Sequence, residues 1–130
     1  MASRINISSG APYEPRFGYS RAVKIGNQIF VAGSTAIRPD GSVEGVGDPY
    51  AQTVATVRTI ERALQQAGAS LQDVVRTRMF ATNLDHTEAI GKAHGEFFKE
   101  IRPASTLVEV SRLVHPDMLI EIEADAIIAD

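Results

Sequence analysis

Apolar residues recur with the spacing of an α-helix over residues 49–67. Asp48 suits the N-cap, Pro49 suits the first helical turn, and Gly68 suits the left-handed residue that ends a helix. The pattern therefore predicts a helix that lies on a sheet and keeps its charged side in water. The apolar residues of its inner face are Val54, Val57, Ile60, Leu64 and Ala67.

A second helical pattern begins near Asp85. Asp85 precedes Glu88 by three residues, which predicts a capping box, and Pro103 prevents the helix from continuing. The residues predicted on its inner side are Ile90, Ala93, His94, Phe97 and Ile101.

The other apolar segments alternate with polar residues and predict five β-strands. Two of them flank Gly26-Asn27, a pair that predicts a tight hairpin turn. A third starts at Val74, and the last two lie on either side of the turn at residues 115–117. The residues of the third strand predicted to face the helices are Val75, Thr77, Met79 and Ala81.

The predicted order is β-β-α-β-α-β-β, which is typical of an α+β fold with both helices on one face of a mixed sheet. We expect one domain over residues 1–130, with residues 1–18 forming an extended arm that has little regular structure. The other sheet face mixes charged and apolar side chains, and burial against further copies of the chain would satisfy both. The residues expected on that face are Arg76, Arg78, Phe80, Ser105, Leu107, Glu109 and Glu121, whereas Thr106 and Val108 are expected to face the helices.

Composition argues against several classes of function. The formal net charge of −3 provides no broad positive field for a nucleic acid. The absence of cysteine excludes disulfides, a thiolate nucleophile and a cysteine zinc site. The chain shows no apolar core of a signal peptide and no run that could span a membrane. We therefore expect a cytoplasmic protein with neither nucleic acid nor membrane as a partner.

The three histidines do not predict a metal site, because no two of them share a ligand spacing. His94 lies on an apolar helix face, where a hydrogen-bonded core histidine is the simplest interpretation; contact with a neighbouring cleft stays open. No glycine-rich phosphate loop is present. We expect neither a metal nor an organic cofactor.

Several short motifs occur together along the chain: Gly18-Tyr19-Ser20, Val31-Ala32-Gly33, Phe97-Phe98, RPASTLVEVSRL at 102–113, and IEIEADAI at 120–127. Over nearly the whole chain they resemble the RidA/YjgF family of reactive-intermediate deaminases. The resemblance implies a chorismate-mutase-like α+β fold and a homotrimer whose three sheets close into a barrel, with a small-molecule cleft between neighbouring subunits. It also implies cofactor-independent hydrolysis of imines and enamines, such as 2-aminoacrylate, to a 2-oxo acid and ammonia.

The resemblance carries over three site residues. Glu121 matches the acid that positions water, Tyr19 matches the tyrosine at the pocket edge, and Gly33 matches the strand glycine. Four positions depart from the family pattern. Ser105 stands where the founding group has an arginine, and Leu107 where it has a cysteine. Ala32 replaces a pocket serine, and Gly91 replaces a pocket asparagine.

Ser105 is the departure with the largest chemical consequence, because the arginine of the founding group grips the substrate carboxylate. Losing two charge-assisted hydrogen bonds from a partly buried cleft costs on the order of 2 to 5 kcal/mol of binding. We therefore expect a substrate other than 2-aminoacrylate, bound at Ser105, Thr106 and Leu107. Arg102 and Arg112 are weak replacements for the missing charge.

The residues by themselves leave other interpretations open. Glu121 also fits an ion-paired acid, Tyr19 fits a packing aromatic, and hydroxyls after a proline often bond local backbone. The leading functional hypothesis is hydrolysis or deamination of a small imine, enamine or related metabolite. The alternative is a non-catalytic ligand-binding or regulatory trimer, which the missing arginine favours. An endoribonuclease is a third hypothesis, and the acidic balance of the chain argues against it.

Overall fold

A six-stranded mixed sheet forms the centre of the computed structural model, which describes residues 3–129. Its strands are β1 (Arg4–Ile7), β2 (Ala22–Ile25), β3 (Gln28–Ser34), β4 (Val74–Ala81), β5 (Ala104–Glu109) and β6 (Ile120–Ile127). They lie in the order β1-β2-β3-β6-β4-β5. β5 runs parallel to β4, and the other neighbouring pairs are antiparallel.

Two long helices cover one face of this sheet. The helices of the described chain are α1 (Tyr13–Phe17), α2 (Pro49–Gln66) and α3 (Thr87–Phe98), and α2 and α3 pack on each other. As predicted, Asp48 caps α2 by accepting the N–H of Ala51 at 3.0 Å, and Gly68 follows the helix with φ of +82°. The α+β class predicted from the order of elements is confirmed.

The hydrophobic core lies between the helices and the inner face of the sheet. β6 contributes most regularly, because it pairs with a strand on each side and its alternate residues point at the helices. Each fully buried leucine or isoleucine contributes roughly 1.5–3 kcal/mol through the hydrophobic effect. The largest fully buried apolar residues are Ile29, Val57, Ile60, Leu64, Ile90, Ile120 and Ile122.

A buried glutamine joins α2 to two loops, and its role was not predicted. The Gln52 side-chain nitrogen donates to the carbonyl of Gly45 at 3.2 Å and of Asp117 at 2.7 Å, and its oxygen accepts the N–H of Leu119 at 2.8 Å. Gln52 is fully buried, so these bonds satisfy backbone groups that water does not reach. The loop before β6 is thereby tied to α2.

A β-bulge near the start of β4 corrects one prediction. Val74 pairs with Ala126, but the next paired residue is Arg76, opposite Asp125. The extra residue shifts the alternation, so Val74 is buried and Val75 is 42% exposed. The prediction that Val75 faces the helices is therefore wrong.

The amino-terminal arm is more regular than predicted. β1 pairs antiparallel with β2, and α1 follows it. The Glu14 side chain is buried and accepts hydrogen bonds from the backbone N–H and the hydroxyl of Ser9. Local composition does not reveal these contacts. The expectation of little regular structure over residues 1–18 is wrong within residues 3–18, and residues 1 and 2 lie outside the described residues.

The start of α3 also differs from the prediction. The Asn83 side chain accepts the N–H of Asp85 at 2.8 Å and begins a 3-10 turn, Leu84–His86, which leads into α3 at Thr87. The capping box expected from Asp85 and Glu88 is wrong because Asp85 already lies inside that turn.

Replacing Gln52 by leucine should lower the free energy of unfolding by about 3 kcal/mol. Two carbonyls and one N–H lose their partner, and an unsatisfied buried polar group costs about 1–3 kcal/mol. Urea denaturation at fixed protein concentration measures the change. Gln65→Leu, on the exposed side of the same helix, is the matched control. Equal unfolding free energies for the two variants would contradict the structural role assigned to Gln52.

Candidate functional site

The sheet face that α2 and α3 leave uncovered, called the open face below, combines charged with exposed apolar side chains. Arg78 lies 3.3 Å from Glu123 and 3.2 Å from Asp125, both on the neighbouring strand β6. The predicted mixture of side chains is thus present, but these acids pair with an arginine of their own chain. Apolar residues exposed on this face are Ile25, Phe30, Val108 and Ile127.

Glu121 lies on the open face directly over a glycine. Glu121 pairs with Phe80 across β6 and β4, and its carboxylate reaches toward β3. A Cβ added to Gly33 would overlap Glu121 Oε2, so only glycine leaves space for this position of the carboxylate. The structure therefore brings together two of the predicted site residues, Gly33 and Glu121.

Arg21 connects this pair to Tyr19. Arg21 Nη2 donates to the carbonyl of Gly33 at 2.7 Å, and the guanidinium carbon lies 5.9 Å from the centroid of the Tyr19 ring. Arg21 Nε is buried and has no hydrogen-bond partner among the described residues. Arg21 was not among the predicted site residues. Its position two residues after Tyr19 and directly before β2 is the signal that could have identified it.

Burial has the largest influence on the carboxyl group of Glu121 and raises its pKa. The positive charge of Arg21 lowers this pKa, and the negative charge of Glu123 raises it. The pKa in the folded protein lies above the ordinary value of 4.5, so the folded state binds more protons than the unfolded state in that range. Ionisation of Glu121 therefore opposes folding as the pH rises from about that value. A carboxyl group in this environment is suited to accept and return a proton.

The predicted binding residues of β5 lie on faces opposite to those expected. The parallel register places Ser105 beside Thr77 and Leu107 beside Met79, both on the helix side of β4. Leu107 packs against the core, whereas Thr106 pairs with Arg78 and lies on the open face.

The predictions that Ser105, Leu107 and Glu109 share the face of Glu121, and that Val108 faces the helices, are therefore wrong. Glu109 instead accepts the N–H of Leu84 at 3.0 Å. In the turn that leads from α3 to β5, Arg102 has φ of +54° before Pro103. The register of β5 against β4 decides which side chains of β5 point inward, and strand alternation by itself does not reveal it.

Ser105 belongs to a hydrogen-bonded group that joins three elements. Thr77 Oγ1 lies 2.8 Å from Ser105 Oγ and 2.9 Å from His94 Nε2. Thr77 is fully buried, Ser105 is exposed, and the His94 ring packs 4.7 Å from the Phe98 ring. Burial lowers the pKa of His94, which keeps the imidazole neutral at pH 7. The interpretation of His94 as a hydrogen-bonded, partly buried histidine fits this geometry.

One chain thus holds two separate groups of polar residues. Tyr19, Arg21, Gly33 and Glu121 lie on the open face, whereas Ser105 lies on the helix face of the edge strand β5. β4 separates β5 from β6, and strand alternation directs Ser105 and Glu121 to opposite faces. A single copy of the chain cannot bring Ser105 and Glu121 to the same small molecule.

A cavity of about 620 Å³ lies on the open face next to the Glu121 group. Tyr19 and Ala32 line it together with the apolar rings and acids of neighbouring strands, including Phe30, Glu123 and Asp125.

Within residues 3–129, no three histidine, aspartate or glutamate side chains come together as a metal site. In the same part of the chain, no helix combines the length and apolarity that crossing a membrane requires.

The fold and the residue motifs define a small α+β protein with polar groups on both faces of its sheet, and comparison with known proteins identifies its family. The family model described as "Endoribonuclease L-PSP" matches residues 10–128, and the chain belongs to this family, whose members are also named RidA, YjgF and RutC. The resemblance to the RidA/YjgF family is confirmed.

Similar proteins extend over nearly the whole chain. The 3-aminoacrylate deaminase RutC of Acinetobacter baylyi is 37% identical, covering 97% of this chain and 98% of its own. A YjgF/YER057c/UK114 family member from Mycobacterium tuberculosis has 46% identity and a TM-score of 0.89, covering 97% of this chain and 100% of its own. The YjgF gene product of Escherichia coli has 30% identity and a TM-score of 0.82, with coverages of 95% and 98%.

Replacing Arg21 by glutamine should raise the pKa of Glu121, because the substitution removes a positive charge that favours the carboxylate. Carboxyl-carbon NMR titration of glutamate-labelled protein measures this pKa. Arg38→Gln is a suitable control, because Arg38 is exposed and pairs with Glu44 at 3.9 Å. A Glu121 pKa that falls or stays unchanged in Arg21→Gln would show that the guanidinium does not act on this carboxyl group.

Proposed function

We propose that this chain forms a homotrimer whose inter-subunit clefts hydrolyse a small imine or enamine to a carbonyl compound and ammonia, with no metal or organic cofactor. The observation that carries the proposal is the Glu121 carboxyl group, held over Gly33 with Arg21 and Tyr19 beside it on an uncovered sheet face. The name of the similar Acinetobacter protein, 3-aminoacrylate deaminase, supports deamination as the reaction class.

The proposed cleft needs two copies of the chain. The Glu121 group and Ser105 lie on opposite faces of one sheet, so a cleft that contains both takes the Glu121 group from one subunit and Ser105 from its neighbour. Exposed apolar side chains on the open face support burial against another copy. The role of Ser105 and Thr106 as ligand contacts is part of this proposal.

Glu121 acts on water in the proposed reaction. Its carboxylate takes a proton from a water molecule while the water oxygen bonds to the imine carbon, and the electron pair of the C=N bond moves to nitrogen, which takes up a proton. The resulting carbinolamine then loses ammonia as the C–N bond breaks and the hydroxyl oxygen forms the carbonyl. Glu121 carries the proton from oxygen to nitrogen, a step for which a raised pKa is favourable. An enamine first takes a proton at carbon and loses one from nitrogen, which gives the imine.

Arg21 gives the proposed cleft a cation in a different place from the missing arginine at position 105. Its Nη2 is committed to the Gly33 carbonyl, whereas its buried Nε has no partner among residues 3–129. We propose that the substrate is a small imine other than 2-aminoacrylate, with its imine carbon near Glu121 and a short polar group near Ser105.

The family description also raises RNA cleavage as an activity. The net charge of −3 and the acids on the open face provide no track for a phosphate backbone. RNA cleavage that persists through repeated purification and disappears in Glu121→Gln would favour this function over imine hydrolysis.

Glu121→Gln should lower kcat/KM for imine hydrolysis by about 10²- to 10⁴-fold, the usual contribution of a general acid–base group. The assay generates a panel of imines with an amino-acid oxidase and follows ammonia release. Glu44→Gln, an exposed glutamate in a loop, should retain the activity of the unchanged protein. Light scattering of all proteins should give a trimeric mass.

The outcomes of this experiment separate the functional hypotheses. Equal activity of Glu121→Gln and the unchanged protein would remove Glu121 from the mechanism. A trimer that hydrolyses no imine of the panel but binds a stable metabolite in calorimetry would instead support a non-catalytic ligand-binding protein. A monomer at all accessible concentrations would overturn the proposed cleft.

A further inference from the structure

Three side chains from three elements form a continuous hydrogen-bonded chain that ends at an exposed hydroxyl. His94 of α3 contacts Thr77 of β4 at 2.9 Å, and Thr77 contacts Ser105 of β5 at 2.8 Å. Thr77 is fully buried and its hydroxyl has these two partners among the described residues, whereas Ser105 is exposed. The chain therefore connects a titratable ring to a group that a ligand can reach.

The hydroxyl of Thr77 has one proton and can donate to only one of its two partners. When His94 Nε2 carries a proton, it donates to Thr77, Thr77 donates to Ser105, and the proton of Ser105 is free to point away from the sheet. When Nε2 carries no proton, Thr77 donates to His94 and accepts from Ser105, so Ser105 offers only its lone pairs to a ligand. The two arrangements give Ser105 opposite hydrogen-bonding character.

We infer that His94 is a positioning residue that sets, through Thr77, whether Ser105 donates or accepts a hydrogen bond in the cleft. The inference rests on the proposed function in placing Ser105 in that cleft. A neutral imidazole reaches both arrangements by exchanging tautomers, so Ser105 then fits either kind of ligand atom. A protonated imidazole allows only the donor arrangement. Ligands with a carbonyl or carboxylate oxygen at Ser105 therefore bind more tightly once His94 is protonated.

The protonation of His94 is governed by burial and by this hydrogen-bonded chain. Burial lowers the pKa of His94, with no opposing contribution from a charged side chain. Three nearby charged side chains have other partners. Glu96 accepts a hydrogen bond from Tyr50, whose ring lies under Lys92, and Arg58 lies over the Phe97 ring. The charged residues on the elements packed around His94 are Arg58, Glu61 and Arg62 of α2, Glu88, Lys92 and Glu96 of α3, Arg76 and Arg78 on the opposite face of β4, and Glu109 of β5.

Pyruvate is a suitable probe because it is small and carries both a carboxylate and a carbonyl oxygen, and because the comparison needs only the weak binding expected without an arginine at position 105. The experiment uses the full chain with Glu121→Gln, so that titration of Glu121 does not affect the result and no catalysis is required. Pyruvate affinity is measured by calorimetry at pH 7.5 and pH 5, with and without Thr77→Val. The valine keeps the size of Thr77 and breaks the connection between His94 and Ser105.

The increase in pyruvate affinity from pH 7.5 to pH 5 should be about 2- to 10-fold larger with Thr77 than with Thr77→Val. This ratio corresponds to the free energy of one hydrogen bond. Imidazole nitrogen NMR should show that pyruvate raises the pKa of His94 with Thr77 and not with Thr77→Val, since linkage makes the two effects reciprocal. Thr56→Val is the matched control, because Thr56 is also buried and donates to the carbonyl of Gln52, away from His94. It should leave both readouts unchanged.

Equal pH dependence with Thr77 and with Thr77→Val, or a His94 pKa that pyruvate does not move, would reduce the three residues to a structural contact and overturn the inference. Absence of pyruvate binding at both pH values would also overturn it. None of these outcomes affects the comparison of imine hydrolysis between Glu121→Gln and Glu44→Gln, which tests the proposed function separately. Near-UV circular dichroism of Thr77→Val verifies that the variant is folded.

Discussion

The alternation of side chains along β6 is the constraint on which the rest of the molecule depends. β6 lies between β3 and β4, so its backbone is hydrogen-bonded on both edges and its side chains are restricted to two directions. Ile120 and Ile122 point to the helices and are fully buried. Glu121 and Glu123, one residue out of phase, must then lie on the open face. The hydrophobic effect that holds the helices on the sheet thus also places the acids of the candidate site.

The sequence predicts the parts of the fold that local chemistry decides. α2 was recognisable because its N-cap, its first-turn proline, its apolar face and its final glycine agree with each other. The bulge that exposes Val75 was not, since one extra residue in a strand leaves the apolar pattern almost unchanged. α1 and β1 also escaped prediction. The pairing of β1 with β2 depends on another strand, and the contact of the buried Glu14 with Ser9 leaves no apolar pattern in the sequence.

The candidate site was predictable only in part for the same reason. The family resemblance identified Tyr19, Gly33 and Glu121, and the structure brings these three residues together around Arg21. Arg21 is one of many charged residues in the sequence, and its contact with the Gly33 carbonyl appears only after β2 and β3 pair. The face of Ser105 depends on the parallel register between β4 and β5. Such a register is set by tertiary contacts and leaves little trace in a single sequence.

The pairing of Arg78 with Glu123 and Asp125 has a consequence for association through the open face. Since Arg78 already pairs with both acids of its own chain and leaves one negative charge in excess, an interface over this group would gain little from new ion pairs made by Arg78. Its free energy would come mainly from burying apolar side chains such as Phe30 and Val108. Added sodium chloride screens exposed charges but does not weaken apolar burial, so an assembly of this kind would persist over a wide range of ionic strength.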